Sequence, residues 1–294
     1  MEWINSIRSP NLTIFFQYIT WLGYKDFLFL FVPFCFWFFD RKVFGTFTLF
    51  VFISALINTY LKDFFQDPRP DVLLNIDPWA STIDLSYGFP SGHAQLAIAI
   101  WGFLFLNTKN IFLKILFIFL ILAISFSRIY LGVHDISDVI GGIIFGLISI
   151  FLLSALLGDK GSWIRNLSNL KHFLIYLSCI SLFYLTWPEG GDKIVSVALG
   201  SLVIGFFIGQ IIDSKYFKFE SPQNLAIKVS STILALIGFI QLNRSVDQIL
   251  EIINFNHNIE AVASSLLLGL YISLIAPLML SLLRLQTKKI GRLS

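Results

Sequence analysis

Long apolar runs alternate with short polar connections along the whole chain. The runs lie at about 26–39, 43–62, 92–107, 111–128, 137–157, 172–188, 193–212, 227–243 and 260–284. About 20 helical residues cross the hydrocarbon core of a bilayer. The pattern therefore predicts an all-α polytopic transmembrane helix bundle of about nine spans. The run at 26–39 is short, which predicts a tilted or partly re-entrant segment. Residues 1–24 mix polar side chains with Trp3, Phe15, Phe16, Tyr18 and Trp21, the pattern of an interfacial helix at the headgroup level. Residues 244–259 predict a second such helix, with Ile249, Leu250, Ile252 and Ile253 on one side. The expected organisation is an N-terminal interfacial segment (1–25), a transmembrane core (26–158) and additional C-terminal transmembrane helices of the same membrane domain (159–294).

Composition agrees with a membrane protein. Of 294 residues, 56% are hydrophobic and 13% charged, about half the charge of a soluble domain. Basic residues do not cluster on one face with aromatics between them, so nucleic acid is not an expected partner. The turn at 40–42 shares its predicted side of the membrane with 14 of the 21 Lys and Arg. By the positive-inside rule that side is cytoplasmic, with the N-terminus outside and the C-terminus inside. Cys35 and Cys179 lie in apolar runs and read as buried small hydrophobes, not as a disulfide or metal pair. The start Met-Glu-Trp lacks a basic n-region, so no cleaved signal is expected. Gly142-x-x-x-Gly146 and Gly205-x-x-x-Gly209 are spacings that let helices approach closely. Asn11-Leu-Thr13 is a glycosylation tripeptide on the predicted outer side, of a kind common by chance.

The predicted outer side also carries the chemistry. The stretch Ser127-Arg128 to His134 to Asp138 sits between two apolar runs. His134 and Asp138 are four apart and share a face if the second helix starts there. A carboxylate so placed fixes one imidazole nitrogen and aims the other. Lys62 and Arg69-Pro70 leave the second span; Pro90-Ser91-Gly92-His93 enters the third. If the three places meet, they form a pocket of three cations and two imidazoles, which calls for an anion at membrane depth. Arg69 and Arg128 suit paired phosphate oxygens, and Lys62 is a point charge. Ser91 and Gly92 open a helix whose N–H groups attract anions, and Ser91 can N-cap it. Asp63, Asp67 and Asp71 read as balancing Arg69 or facing water, and Asp135 as a rim residue. Trp79, Tyr87, Phe89 and Tyr130 read as packing or as the border of an entrance. His172 and His257 lie away from the cluster.

These three blocks resemble the signature of the type 2 phosphatidic acid phosphatase superfamily, which includes lipid phosphate phosphatases, glucose-6-phosphatase and vanadium haloperoxidases. Each block is matched, over about a quarter of the chain. The span layout is also similar, more weakly, to glucose-6-phosphatase and sphingosine-1-phosphate phosphatases. The resemblance implies a core helix bundle around the site and hydrolysis of a phosphoester through a phosphohistidine, with no metal and no other cofactor. It implies His134 as nucleophile, Asp138 as its orienting group and His93 as acid and then base. Lys62, Arg69, Ser91, Gly92 and Arg128 would bind phosphate, with Ser127 supporting Arg128. A site at the ends of membrane helices is reached from the bilayer, so a phosphorylated lipid is the expected substrate. A soluble phosphomonoester such as a sugar phosphate is the alternative, and a phospholipid transporter the alternative of a different class. A haloperoxidase is disfavoured, and transfer to an acceptor other than water stays open. The expected location is a bacterial inner membrane with the site periplasmic, or lumenal in an organelle. Homodimerisation, a substrate groove and added stability are candidate roles for the last four spans.

Overall fold

The computed structural model describes residues 3–80, 86–253, 256–283 and 287–288. The fold is helical. Its longer helices are α1 (Pro10–Trp21), α2 (Lys25–Phe38), α3 (Arg41–Phe65), α4 (Gly92–Asn107), α5 (Ile111–Tyr130), α6 (Ile136–Leu157), α7 (Asn169–Leu185), α8 (Lys193–Phe217), α9 (Leu225–Ile253) and α10 (Asn258–Leu282). A two-residue antiparallel ladder pairs Phe219–Glu220 with Thr287–Lys288.

Among the described residues, six helices are long and apolar enough to cross a membrane: α3, α5, α6, α8, α9 and α10. The other three expected spans are helices too, but shorter. The run at 26–39 is α2, with 14 residues, or about 21 Å at 1.5 Å per residue. The hydrocarbon core is about 30 Å thick, so α2 falls short alone. It follows α1 through a bend of 52°, and together the two helices are long and apolar enough to cross. The runs at 92–107 and 172–188 are α4 and α7, both under 18 residues. A π-helical turn at Ile98–Gly102 interrupts α4.

One expectation is corrected. Residues 244–253 are not a separate interfacial helix but the continuation of α9. Nothing breaks the helix there, because 239–253 holds neither glycine nor proline, and a helix propagates more easily than it restarts. Residues 254 and 255 lie outside the described ones.

The chain forms two compact units. The first comprises Met1–Phe29, Ser54–Asn166 and Trp187–Gly191; the second comprises Leu30–Ile53, Leu167–Thr186 and Asp192–Ser294. In the first, α4 lies against α6 at the Gly142-x-x-x-Gly146 stripe. A Cβ at Gly142 would sit 2.5 Å from the Ser91 carbonyl oxygen, so only glycine permits this approach. The opposite face of α6 exposes Ile140, Ile144, Leu147 and Phe151, as expected of a lipid-facing surface. Helix α1 lies on α5, burying Phe16 with Tyr130, Leu131 and Val133. The Tyr130 hydroxyl accepts from the Ser9 N–H at 3.0 Å. A buried polar ladder joins α3 to α4: Asn58 donates to Gln95 Oε1 at 2.9 Å, and Gln95 donates to the Ser54 carbonyl at 3.1 Å. Such groups inside a membrane protein must be satisfied internally.

In the second unit, α8 lies against α10. A Cβ at Gly205 would meet the Leu266 carbonyl oxygen at 2.2 Å. Trp37 donates to the Ile272 carbonyl at 2.8 Å. Cys35 is buried as expected. Cys179 is not: it is exposed, on α7, where large apolar side chains such as Leu182 and Leu185 are exposed as well.

Candidate active site

The site is built in the first unit, where the end of α3, the stretches 66–80 and 86–91, the start of α4 and the α5–α6 turn come together. The turn is tied to the end of α5, because the N–H groups of Val133 and His134 donate to the Arg128 carbonyl at 3.0 and 3.2 Å. Helix α6 starts at Ile136, so His134 precedes the helix rather than riding on it. It still reaches Asp138: Nδ1 lies 3.0 Å from Asp138 Oδ2, with the two side chains 2% and 0% exposed. The same Oδ2 accepts the Asp135 N–H at 3.0 Å. The Asp135 side chain returns the favour to the N–H of residue 138, completing a capping box. Asp135, expected at the rim, is thus the helix cap.

Helix α4 is fixed at its first turn. The Ser91 N–H donates to the Asp138 carbonyl at 2.9 Å. Ser91 was expected to cap α4, but its hydroxyl makes no capping bond. Among the described residues it is buried without a hydrogen-bond partner, and so are His93 Nε2, Arg128 Nε and Asp138 Oδ1. Leaving one such atom unsatisfied costs about 1–3 kcal/mol. Four in the residues of these blocks mark a place built for a ligand rather than for stability.

The cations surround this place. Lys62 Nζ donates to the carbonyls of Tyr87 and Gly88. Arg69 donates from Nε and Nη2 to Ser86 at 2.8 and 2.7 Å, and from Nη1 to the Val133 carbonyl at 3.4 Å. Arg128 Nη1 lies 2.6 Å from Asp77 Oδ2 in a buried ion pair, and it donates to Thr20 Oγ1 at 2.6 Å. Burial, then the charges of Lys62, Arg128 and Arg69, hold the His134 imidazole well below its ordinary range. It is therefore neutral at pH 7, the form that can act as a nucleophile.

All the residues singled out in the three blocks thus meet within one unit. Four others at this place escaped the sequence reading: Thr20, Gly23, Tyr24 and Asp77. The Tyr24 hydroxyl donates to Asp77 Oδ2 at 2.7 Å; its ring lies edge-on to His93 at 4.6 Å and under the Arg128 guanidinium at 5.4 Å. A Cβ on Gly23 would lie 2.3 Å from His93 Cδ2. The N-terminal segment is therefore part of the site wall and not only an interfacial element. An available signal was the lone carboxylate in Asn75-Ile76-Asp77-Pro78-Trp79, an apolar setting unlike that of Asp67 or Asp71.

The remaining candidates are placed elsewhere. Asp63 is buried rather than facing water, and accepts from Trp187 Nε1 at 2.8 Å. Asp71 caps the turn Val72–Leu74. Trp79 Nε1 donates to the Gln17 carbonyl at 3.1 Å. The Phe89 ring lies 4.8 Å from that of Phe65. The Ser127 hydroxyl donates to the Ile124 carbonyl at 2.6 Å, inside its own helix. His172 lies in the second unit near Phe207, and the side chain of His257 lies outside the described residues.

A model of the PAP2 superfamily matches residues 43–162, and a model of the PAP2 superfamily phosphatase transmembrane extension matches residues 197–288. The chain is 31% identical over 160 residues to phosphatidylglycerophosphatase B of Bacillus subtilis, covering 50% of this chain and 76% of that protein. It is 28% identical over 244 residues to a dihydrosphingosine 1-phosphate phosphatase of Schizosaccharomyces pombe, covering 74% of this chain and 55% of that protein. The chain thus spans about half the length of the yeast relative. The crystal structure of a transmembrane PAP2 type phosphatidylglycerolphosphate phosphatase from Bacillus subtilis matches with a TM-score of 0.45 and 28% identity, over 53% of this chain and 81% of that one.

Proposed function

The chain belongs to the PAP2 superfamily, and from that premise we propose that it is an integral membrane phosphatase that removes the phosphate or pyrophosphate headgroup of a lipid. The observation that carries this reading is the buried His134–Asp138 pair, 3.0 Å apart, within the field of three fixed cations. Two relatives named as phosphatases of phosphorylated lipids support the substrate class.

In the proposed mechanism Asp138 holds His134 through Nδ1, which leaves Nε2 to attack phosphorus in line. The P–Nε2 bond forms as the P–O bond to the lipid breaks, and His93 delivers a proton to the departing oxygen. His93 then takes a proton from water, which cleaves the phosphohistidine and releases inorganic phosphate. Lys62, Arg69, Arg128, Ser91 Oγ and the Gly92 N–H hold the equatorial oxygens, where transition-state charge is spread. Fixed cations supply the neutralisation that Mg²⁺ supplies in other phosphoryl-transfer sites, so the reaction proceeds without metal. The bias of Lys and Arg supports a site on the extracytoplasmic side, periplasmic in a bacterial inner membrane or lumenal in an organelle.

The test is phosphate release by purified protein in detergent with a chelator present. The panel is phosphatidate, phosphatidylglycerol phosphate, undecaprenyl pyrophosphate, sphingosine 1-phosphate and glucose 6-phosphate, with His134→Ala as control. Chelator-resistant release from a lipid, lost in the variant, is the expected result. Release from glucose 6-phosphate alone would replace the lipid with a soluble substrate. Release that survives in His134→Ala would sink the mechanism.

A further inference from the structure

The second unit contains a cavity of about 900 Å³ that the proposed chemistry does not use. Its wall holds Arg41, the first residue of α3, together with Lys42, Lys218 and Lys228, and three carboxylates, Asp40, Asp213 and Glu220.

Asp40 and Asp213 make their bonds within the protein. Asp40 Oδ1 accepts the N–H groups of Lys42 and Val43 at 2.9 and 3.0 Å, and so caps α3. Asp213 Oδ1 accepts the Phe219 N–H at 3.0 Å, and its Oδ2 lies 3.3 Å from Arg41 Nη1. Arg41 is itself only partly engaged. Its side chain is 9% exposed, and Nη2 donates to the Ser273 carbonyl at 2.8 Å. The guanidinium lies over the Phe36 ring at 4.7 Å, while Nε is buried with no hydrogen-bond partner. Lys228 lies over the Phe38 ring at 4.9 Å, and Lys42 and Lys218 are exposed at the rim. The charge left to face a ligand is positive, and a buried arginine retains an unused donor.

We infer that this cavity is a second anion-binding site, taking a phosphate group among Arg41, Lys42, Lys218 and Lys228. Arginine and lysine together provide a fork and point charges for phosphate oxygens. Phe36 and Phe219 give the wall an apolar part. The phosphate could be borne by a lipid headgroup, which basic pockets between membrane helices hold, or by a soluble anion.

The experiment is thermal unfolding of the full chain in mild detergent, titrated with dioctanoyl phosphatidylglycerol, dioctanoyl phosphatidylcholine or inorganic phosphate. Phosphatidylglycerol is a diester and offers no terminal phosphate to hydrolyse. The variants are Lys42→Gln/Lys218→Gln for the cavity and Ser91→Ala for the catalytic pocket; Arg41 is left intact because its burial makes it a risk to folding. Stabilisation by phosphatidylglycerol is expected, with at least a tenfold weaker midpoint in Lys42→Gln/Lys218→Gln and an unchanged midpoint in Ser91→Ala. The same pattern with inorganic phosphate alone would assign a soluble anion to the same site. The inference is overturned by no response to either anion, by an equal response to phosphatidylcholine, or by a response weakened only in Ser91→Ala. None of these readouts depends on phosphate release, so the catalytic proposal stands or falls separately.

Discussion

Replacing Gly23 by alanine tests whether His93 is held in one productive position. A Cβ there would lie 2.3 Å from His93 Cδ2 and 2.8 Å from Cγ. Non-bonded carbons settle at about 3.5–4.0 Å, so the ring or the α1–α2 bend must retreat by roughly 1 Å. The ring has little freedom to do so, because Tyr24 packs on it at 4.6 Å and the Thr20 backbone hydrogen-bonds it. A misplacement of about 1 Å in a catalytic group costs on the order of 10²-fold, and overpacking costs about 1–3 kcal/mol of stability. Phosphate release from the preferred lipid substrate should therefore show kcat lowered by about 10–100-fold, KM nearly unchanged, and a Tm only a few degrees lower. In a His93→Ala background the clash is gone, so adding Gly23→Ala should cost almost nothing further. A Gly23→Ala protein with wild-type kcat would refute the placement of His93 in the reaction.

The other predictions concern atoms around the same pocket. Asp77→Ala leaves the Arg128 guanidinium buried without its carboxylate, a change worth about 3–5 kcal/mol; a lower Tm and a raised KM are expected, and Arg128→Ala/Asp77→Ala should lose less than the sum of the single variants. Ser91→Ala removes a buried hydroxyl that has no hydrogen-bond partner, so Tm should hold or rise slightly while inhibition by inorganic phosphate weakens about tenfold. His134 is kept neutral in the folded state, whereas unfolded it titrates near 6.5. Below about pH 6.5 the unfolded chain therefore binds a proton that the folded one does not, and stability falls with pH by up to about 1.4 kcal/mol per unit. Unfolding midpoints should fall between pH 7 and 5, and His134→Gln should reduce the fall.

The sequence made most of this site legible, for a simple reason. Charged and hydroxyl side chains are conspicuous against apolar runs, and membrane topology sorts them to one side before any folding detail is known. Lys62, Arg69, Ser91, His93, Arg128, His134 and Asp138 all stood out in that way. Hydropathy failed where the answer lay in a contact between distant segments. Asp77 matters because it meets Arg128, and Gly23 because His93 faces it. Span length was read well where helices are long. The runs also matched the lengths of α2, α4 and α7, which are helices of fewer than 18 residues. The unbroken α9 was misread because polarity rises along it. Polarity reports surroundings, while the lack of glycine or proline decides whether the backbone stops.

The double use of Asp138 has a consequence for how such a protein can change over generations. One carboxylate both aims His134 and closes the first turn of α6. Selection acting on turnover and selection acting on foldability therefore read the same atoms. A drifting sequence cannot trade one against the other at position 138, so adaptation to a new headgroup must be written elsewhere, in neighbours whose loss leaves that turn closed.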